Sequence, residues 1–187
     1  SLQDKSPRIR IIASITTAVT VTATGIPTPI QQVSSPVTLI PASDLATRVG
    51  IVDDLRQSPG VAAVQSVQYG VATSLFVRGG NSPANKVLID GITAEDIGGV
   101  FDFGNVSSTG LTGLEFYRGP NSVLYGSDAG ASVVSFNSPR GNSLRPTLNY
   151  SGDAGNFHTC RNEAALCGAW NRLDSYGAFS RFDSSND

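Results

Sequence analysis

Short apolar runs cut by glycine and proline, rather than long periodic stretches, set the pattern of this chain. Residues 9–23 are rich in β-branched side chains, with Val19 and Val21 alternating against Thr20 and Thr22, and predict an extended segment with strand potential. Gly25, Pro27 and Pro29 break it. Residues 37–40 predict a short strand ended by Pro41. Ser43 or Asp44 is placed to cap a helix from Leu45 to about Leu55 or Gln57, which Ser58, Pro59 and Gly60 stop. Strand-like runs follow at 61–69, 74–78 and 86–91. The last has an apolar Val87-Leu88-Ile89 centre running into Asp90-Gly91, a tight-turn pair. Residues 93–110 read as a loop with one helical turn, and 133–137 as a further strand.

The pattern changes after residue 141. From Pro146 onward three runs, 147–151, 157–173 and 176–182, alternate small, polar and aromatic residues, with turns expected at 153–156 and 172–175. This predicts an antiparallel meander, with an alternation like that of transmembrane barrel strands. Three strands cannot close a barrel, so an open edge is expected. Ahead of the meander, residues 114–134 (LEFYRGPNSVLYGSDAGASVV) join two strand-like runs through Arg118, Gly119, Pro120, Tyr125 and Gly126. Such dense turn chemistry holds backbone and an arginine at one place. The chain therefore divides into an extended segment at 1–24, a domain at 25–141 and barrel-like strands at 142–187.

Composition narrows the function classes. Of the 187 residues 40% are hydrophobic and 15% charged, and the formal net charge is −2. Scattered basic residues at that charge argue against nucleic acid as a partner. No stretch approaches the ~20 apolar residues of a membrane-spanning helix, and no basic region followed by an apolar one marks a signal peptide. Cys160 and Cys167 are too few for a disulfide scaffold. On one strand they would lie ~23 Å apart, so pairing requires a turn between them or a second chain. With His158 as the single histidine, in an alternating run, neither a metal site nor a cofactor is expected. GxSxG, HExxH, GxGxxG and P-loop motifs are absent, so catalysis is not expected.

Several motifs occur in order: AVTVTA at 18–23, PVTLIP at 36–41, SLFVRGG at 74–80, KVLIDGI at 86–92 and the block at 114–134. Together they resemble the plug domain of TonB-dependent outer-membrane receptors over about residues 18–140. The later runs resemble the first strands of that family's barrel. The resemblance implies an α+β fold, a plug-type mixed β-sheet with short helices followed by an antiparallel β-meander, the plug lodged in a 22-stranded barrel. It implies a protein of the Gram-negative outer membrane whose plug faces the periplasm, gates the pore and helps bind an iron–siderophore complex, haem, cobalamin or a glycan. The implied partners are the surrounding barrel, the nutrient and TonB, which pulls on an extended N-terminal box.

Carried over by motif, Ala18, Val19, Thr20, Val21, Thr22 and Ala23 form that box, an unpaired edge able to add to a partner's sheet. Arg78, followed by Gly79, and Arg118 would hold carboxylates of the plug or barrel wall, with Glu115 a candidate partner. Asp90-Gly91 would be a plug turn, and Gly119, Pro120, Tyr125 and Gly126 would stiffen the block. Tyr69, Asn81, Phe101 and Phe103 are loop candidates for nutrient contact. Ser132 stands where the family commonly has glycine, and would be strained if its φ were positive.

A reading of a different class is structural. The β-prone 9–21 segment and the open edge at 176–182 would let copies add to one another by strand addition, giving a homo-oligomer or an extracellular filament.

Overall fold

The computed structural model describes residues 20–21, 26, 28–33, 35–46, 50–65, 71–141, 143–156 and 158–184. In chain order the elements begin with β1 (Thr20–Val21), β2 (Thr28–Pro29), β3 (Val37–Pro41), α1 (Ala42–Leu45) and α2 (Ile51–Arg56). Next come β4 (Val61–Gln65), β5 (Thr73–Val77), β6 (Asn85–Ile89), β7 (Ile92–Thr93), β8 (Gly113–Arg118), α3 (Ser122–Tyr125) and β9 (Ser132–Asn137). The last three are β10 (Thr147–Ala154), β11 (Cys160–Trp170) and β12 (Leu173–Asp183).

A five-stranded mixed sheet in the order β3-β8-β9-β6-β7 is the centre, with β6 and β9 parallel. Both its faces are covered, which explains why β6 reads as a nearly unbroken apolar run. One face packs Leu114, Phe116, Val87, Val134 and Phe136 against α1, α2 and the β4–β5 hairpin. The other gathers Tyr117, Leu88 and Val133 with Val21 and Ala129. β8 feeds both clusters because successive side chains leave a strand on opposite faces.

The helix expected from Leu45 to Leu55 or Gln57 is two short helices. Gly50 is extended at φ −140° and begins α2, while Ser43 and Asp44 lie inside α1 instead of capping it. Packing maintains such short helices: Leu45, Ile51 and Leu55 are buried in the first cluster. The strand expected over 61–69 is shorter, at Val61–Gln65, and its remainder lies outside the described residues. The 93–110 loop contains a 3-10 turn at Phe103–Asn105 whose Phe103 is core, only 1% exposed.

The meander forms as an antiparallel sheet, β10-β11-β12. Its last turn is Asn171-Arg172 rather than 172–175, because Trp170 pairs directly with Leu173. Asn171 takes φ +57°, a conformation asparagine tolerates. His158 lies exposed in the preceding loop at φ +53°, not in a strand. Cys160 and Cys167 are free thiols on one continuous strand, and their odd spacing sends them to opposite faces.

Candidate functional site

Two arginines meet at one corner of the sheet. Arg78 and Gly79 form a two-residue turn, at φ +50° and +80°, that returns Val77 onto Gly80. The Arg78 backbone N–H donates to Gly60 O at 2.8 Å, and its Nη1 lies 3.9 Å from where a Cβ on Gly119 would stand. Arg118, at the end of β8, donates from Nη1 to Pro59 O (3.1 Å) and from Nη2 to Thr38 Oγ1 (2.9 Å). Its Nε is buried with no hydrogen-bond partner among the described residues. Among the described residues neither arginine pairs with a carboxylate. The two arginines thus flank the Pro59-Gly60 turn and Gly119, and among the described residues their guanidiniums keep donors without a protein acceptor.

Glu115 is not the acceptor for Arg118. Three positions apart on one strand, the two leave opposite faces. Glu115 is buried on the second face, accepting from Tyr117 Oη (3.2 Å) and Asn137 Nδ2 (3.0 Å). Nearby Tyr125, at the end of α3, has its phenol pushed up by burial and then by the Glu115 charge. Gly119 and Pro120 lead from β8 toward α3, and Gly126 at φ +82° ends it. Asp90-Gly91, at φ +51° and +83°, turns β6 into β7, a pair of positive φ values that suits a two-residue hairpin. The Asp90 carboxylate accepts from Ser138 N (2.8 Å) and Oγ (2.6 Å), locking the turn to the end of β9.

Ser132 carries no positive φ, so the condition for strain is not met. Its buried hydroxyl donates to Asn85 Oδ1 at 2.7 Å, and Asn85 Nδ2 donates to Leu75 O at 2.7 Å, tying β9 through β6 to β5. Ser132→Gly leaves a buried acceptor unpaired and is expected to cost about 1–3 kcal/mol, read as a lower urea midpoint in detergent.

Of the segment 18–23, only Thr20 and Val21 lie among the described residues; Ala18, Val19, Thr22 and Ala23 lie outside them. Thr20 and Val21 are paired along one side, in a two-stranded sheet. They ladder with Pro29 and Thr28, and Val21 is fully buried in the second cluster.

The meander is fastened to this domain through its inner face. Arg161 and Glu163, two apart on β11, pair with each other on that face. Glu163 accepts from Thr109 Oγ1, Arg161 Nη2 donates to Ser108 Oγ (3.4 Å), and Tyr176 Oη donates to Gly110 O (2.8 Å). A cleft lined by Thr109, Gly110, Asn149, Cys167 and Tyr176 runs along the seam. The outer face is exposed and apolar, with Leu148, Tyr150, Leu166, Trp170, Leu173 and Phe179. Motif reading missed the seam residues, although the i, i+2 spacing of Arg161 and Glu163 already placed them on one face.

The nutrient-contact candidates do not converge. Phe103 is core, and Phe101 packs on it edge-on with ring centroids 4.9 Å apart. Asn81 is exposed at the start of the turn before β6, and Tyr69 lies outside the described residues.

The TonB-dependent receptor plug domain, as a family model, matches residues 29–133. The vitamin B12 transporter BtuB of Vibrio vulnificus (strain CMCP6) is 31% identical over 118 residues, 62% of this chain and 20% of the transporter. The pyoverdine outer membrane receptor FpvA of Pseudomonas aeruginosa PAO1, solved bound to pyoverdine, superposes at a TM-score of 0.70. That match covers 88% of this chain and 24% of the receptor at 14% identity. The ferric yersiniabactin uptake receptor FyuA of Yersinia pestis gives a TM-score of 0.60 and 20% identity over 80% of this chain and 24% of that one. The chain thus spans about a fifth to a quarter of these relatives' lengths. With the family match running through the mixed sheet and its arginine corner, this chain belongs to the TonB-dependent receptor plug domain family.

Proposed function

We propose that residues 25–141 are the plug, and 142–187 the first barrel strands, of an outer-membrane receptor that imports a siderophore complex, a cobalamin or a similar nutrient with TonB as its energy-coupling partner. The observation that carries this is a sheet whose outer face is apolar and exposed while its inner face is hydrogen-bonded to the plug. Strands β11 and β12 have 11 residues each, the length a tilted strand needs to cross a bilayer core. Across them the outward rows Trp170/Leu173, Leu148/Leu166 and Tyr150/Phe179 give way to the Arg181–Asp183 ion pair, as an apolar band gives way to a wet rim.

In this reading the plug gates the pore and faces the periplasm. Arg78 and Arg118 offer their unused donors to carboxylates of the remaining barrel wall. Residues 18–23 are the TonB-binding strand, and Val21 must leave its buried seat before it can add to a partner sheet. The transport activity of a vitamin B12 relative and of a siderophore-uptake neighbour supports the nutrient class.

The experiment is a pull-down of the full chain with the periplasmic domain of TonB. Capture is expected, and deletion of residues 18–23 is expected to abolish it. Unchanged capture by the deletion variant rules out this segment as the contact.

A further inference from the structure

Lys86 occupies an unusual position. It projects from β6 on the face that holds Val21, with its side chain only 10% exposed. Its ammonium pairs with Glu95, itself 3% exposed, and lies 3.8 Å from Asp128 Oδ2. The second Glu95 oxygen accepts the Val87 N–H at 2.8 Å, so one carboxylate clamps the end of the 92–95 segment to β6 twice. That segment continues into a loop that exposes Ile97 and Val100 and closes on itself through Asp96 N to Val100 O (2.9 Å). Gly99 backs this loop against Pro83 with no room for a Cβ. On the other side, Asp128 precedes Ala129, a fully buried wall of the cluster that seats Val21.

We infer that Lys86 is a positioning residue that couples the 92–100 loop to the seat of Val21 through Glu95 on one side and Asp128 on the other. A buried ammonium keeps its place only while its carboxylates do. A ligand or partner that draws Glu95 away with the exposed loop leaves Lys86 with the half-exposed Asp128 alone. The ammonium then turns toward solvent, the 126–130 turn shifts with it, and Ala129 ceases to close the seat. The functional consequence, release of a TonB-binding strand, rests on the proposed function. The coupling itself does not.

Amide hydrogen exchange on the full chain in detergent micelles tests it. Lys86→Gln and Glu95→Gln are expected to speed exchange in the 20–29 peptide by at least ~5-fold, the lower end of ordinary inter-site coupling. Exchange in β8 and β9 should stay as it was, and Lys86→Arg should restore slow exchange. Asp128→Asn, a change at the half-exposed partner that the fold tolerates most readily, should act in the same direction and less strongly. Unchanged exchange at 20–29 in all three weakened variants overturns the coupling. So does an equal rise across the whole sheet, which marks plain loss of stability. Because this readout needs no TonB, a failed pull-down beside a positive exchange result removes only the energy-coupling reading.

Discussion

Phe116→Ala is expected to cost about 3–5 kcal/mol, the range for emptying a packed phenylalanine site. Phe116 is fully buried at the middle of β8, with strands hydrogen-bonded on both sides and the first cluster packed over its ring. Neither neighbouring strand can move in to fill the space without breaking its own ladder, so the cavity stays open. Against a total stability of ~5–15 kcal/mol, such a loss removes about a fifth or more of the margin. Urea unfolding followed by far-UV circular dichroism in detergent measures it. Val123→Ala, at a side chain 99% exposed, is the control and should change stability by no more than about 0.5 kcal/mol. A Phe116→Ala midpoint equal to the control's would mean that the first cluster does not hold the sheet together.

The second large effect falls on the seam between plug and meander. Gly110 has φ +73°, and a Cβ there would overlap the Tyr176 hydroxyl outright. Gly110→Val therefore meets two penalties, a left-handed backbone for a β-branched residue and a side chain in occupied space. Relief requires Tyr176 to withdraw, which breaks its bond to Gly110 O and strains the adjacent Thr109–Glu163 contact. The expected cost is about 1.5–4.5 kcal/mol, combining backbone strain of ~1–3 kcal/mol with a lost hydrogen bond of ~0.5–1.5 kcal/mol. Exchange should rise across 160–183 while 113–118 and 132–137 remain protected. Tyr176→Phe, which removes only the hydrogen bond, should give a smaller change in the same peptides. If Gly110→Val leaves 160–183 as protected as before, the seam does not hold the meander.

Legibility followed the type of physics involved. The Lys86–Ile89 strand and its Asp90-Gly91 turn were readable because a strand buried on both faces leaves an apolar run, and the turn needs residues that accept positive φ. The two-faced meander was readable from alternation alone, though its turn moved to Asn171-Arg172 because cross-strand pairing outweighed the more polar Asp174-Ser175. The single helix over 45–57 misled because weak local propensity does not reveal that Gly50 would stay extended. Phe103 misled in the opposite direction. A phenylalanine amid glycine and aspartate reads as a loop tip, yet burial against Phe101 and the first cluster stabilises it more than any surface contact would. The pairing of Arg118 with Glu115 failed on strand geometry, since neighbours three apart on a strand point away from each other.

What the sequence by itself determined is the alphabet of the protein: strand-sized apolar runs, a tight turn at Asp90-Gly91, a two-faced meander, and motifs ordered well enough to mark the family, whereas Arg78, read as the end of a strand, proved to be part of the turn with Gly79. Those features depend on each residue's near neighbours and on a period of two. What only the tertiary structure decided is which polar group meets which. Glu95 and Asp128 close on Lys86, Thr109 meets Glu163 across 54 positions, and Val21 shares a buried cluster with Ala129. Closing a loop costs little more at fifty residues than at twenty-five, so spacing along the chain barely favours one such pairing over another. The choice is made by the packed sheet, which brings only a few polar groups within reach of each buried charge.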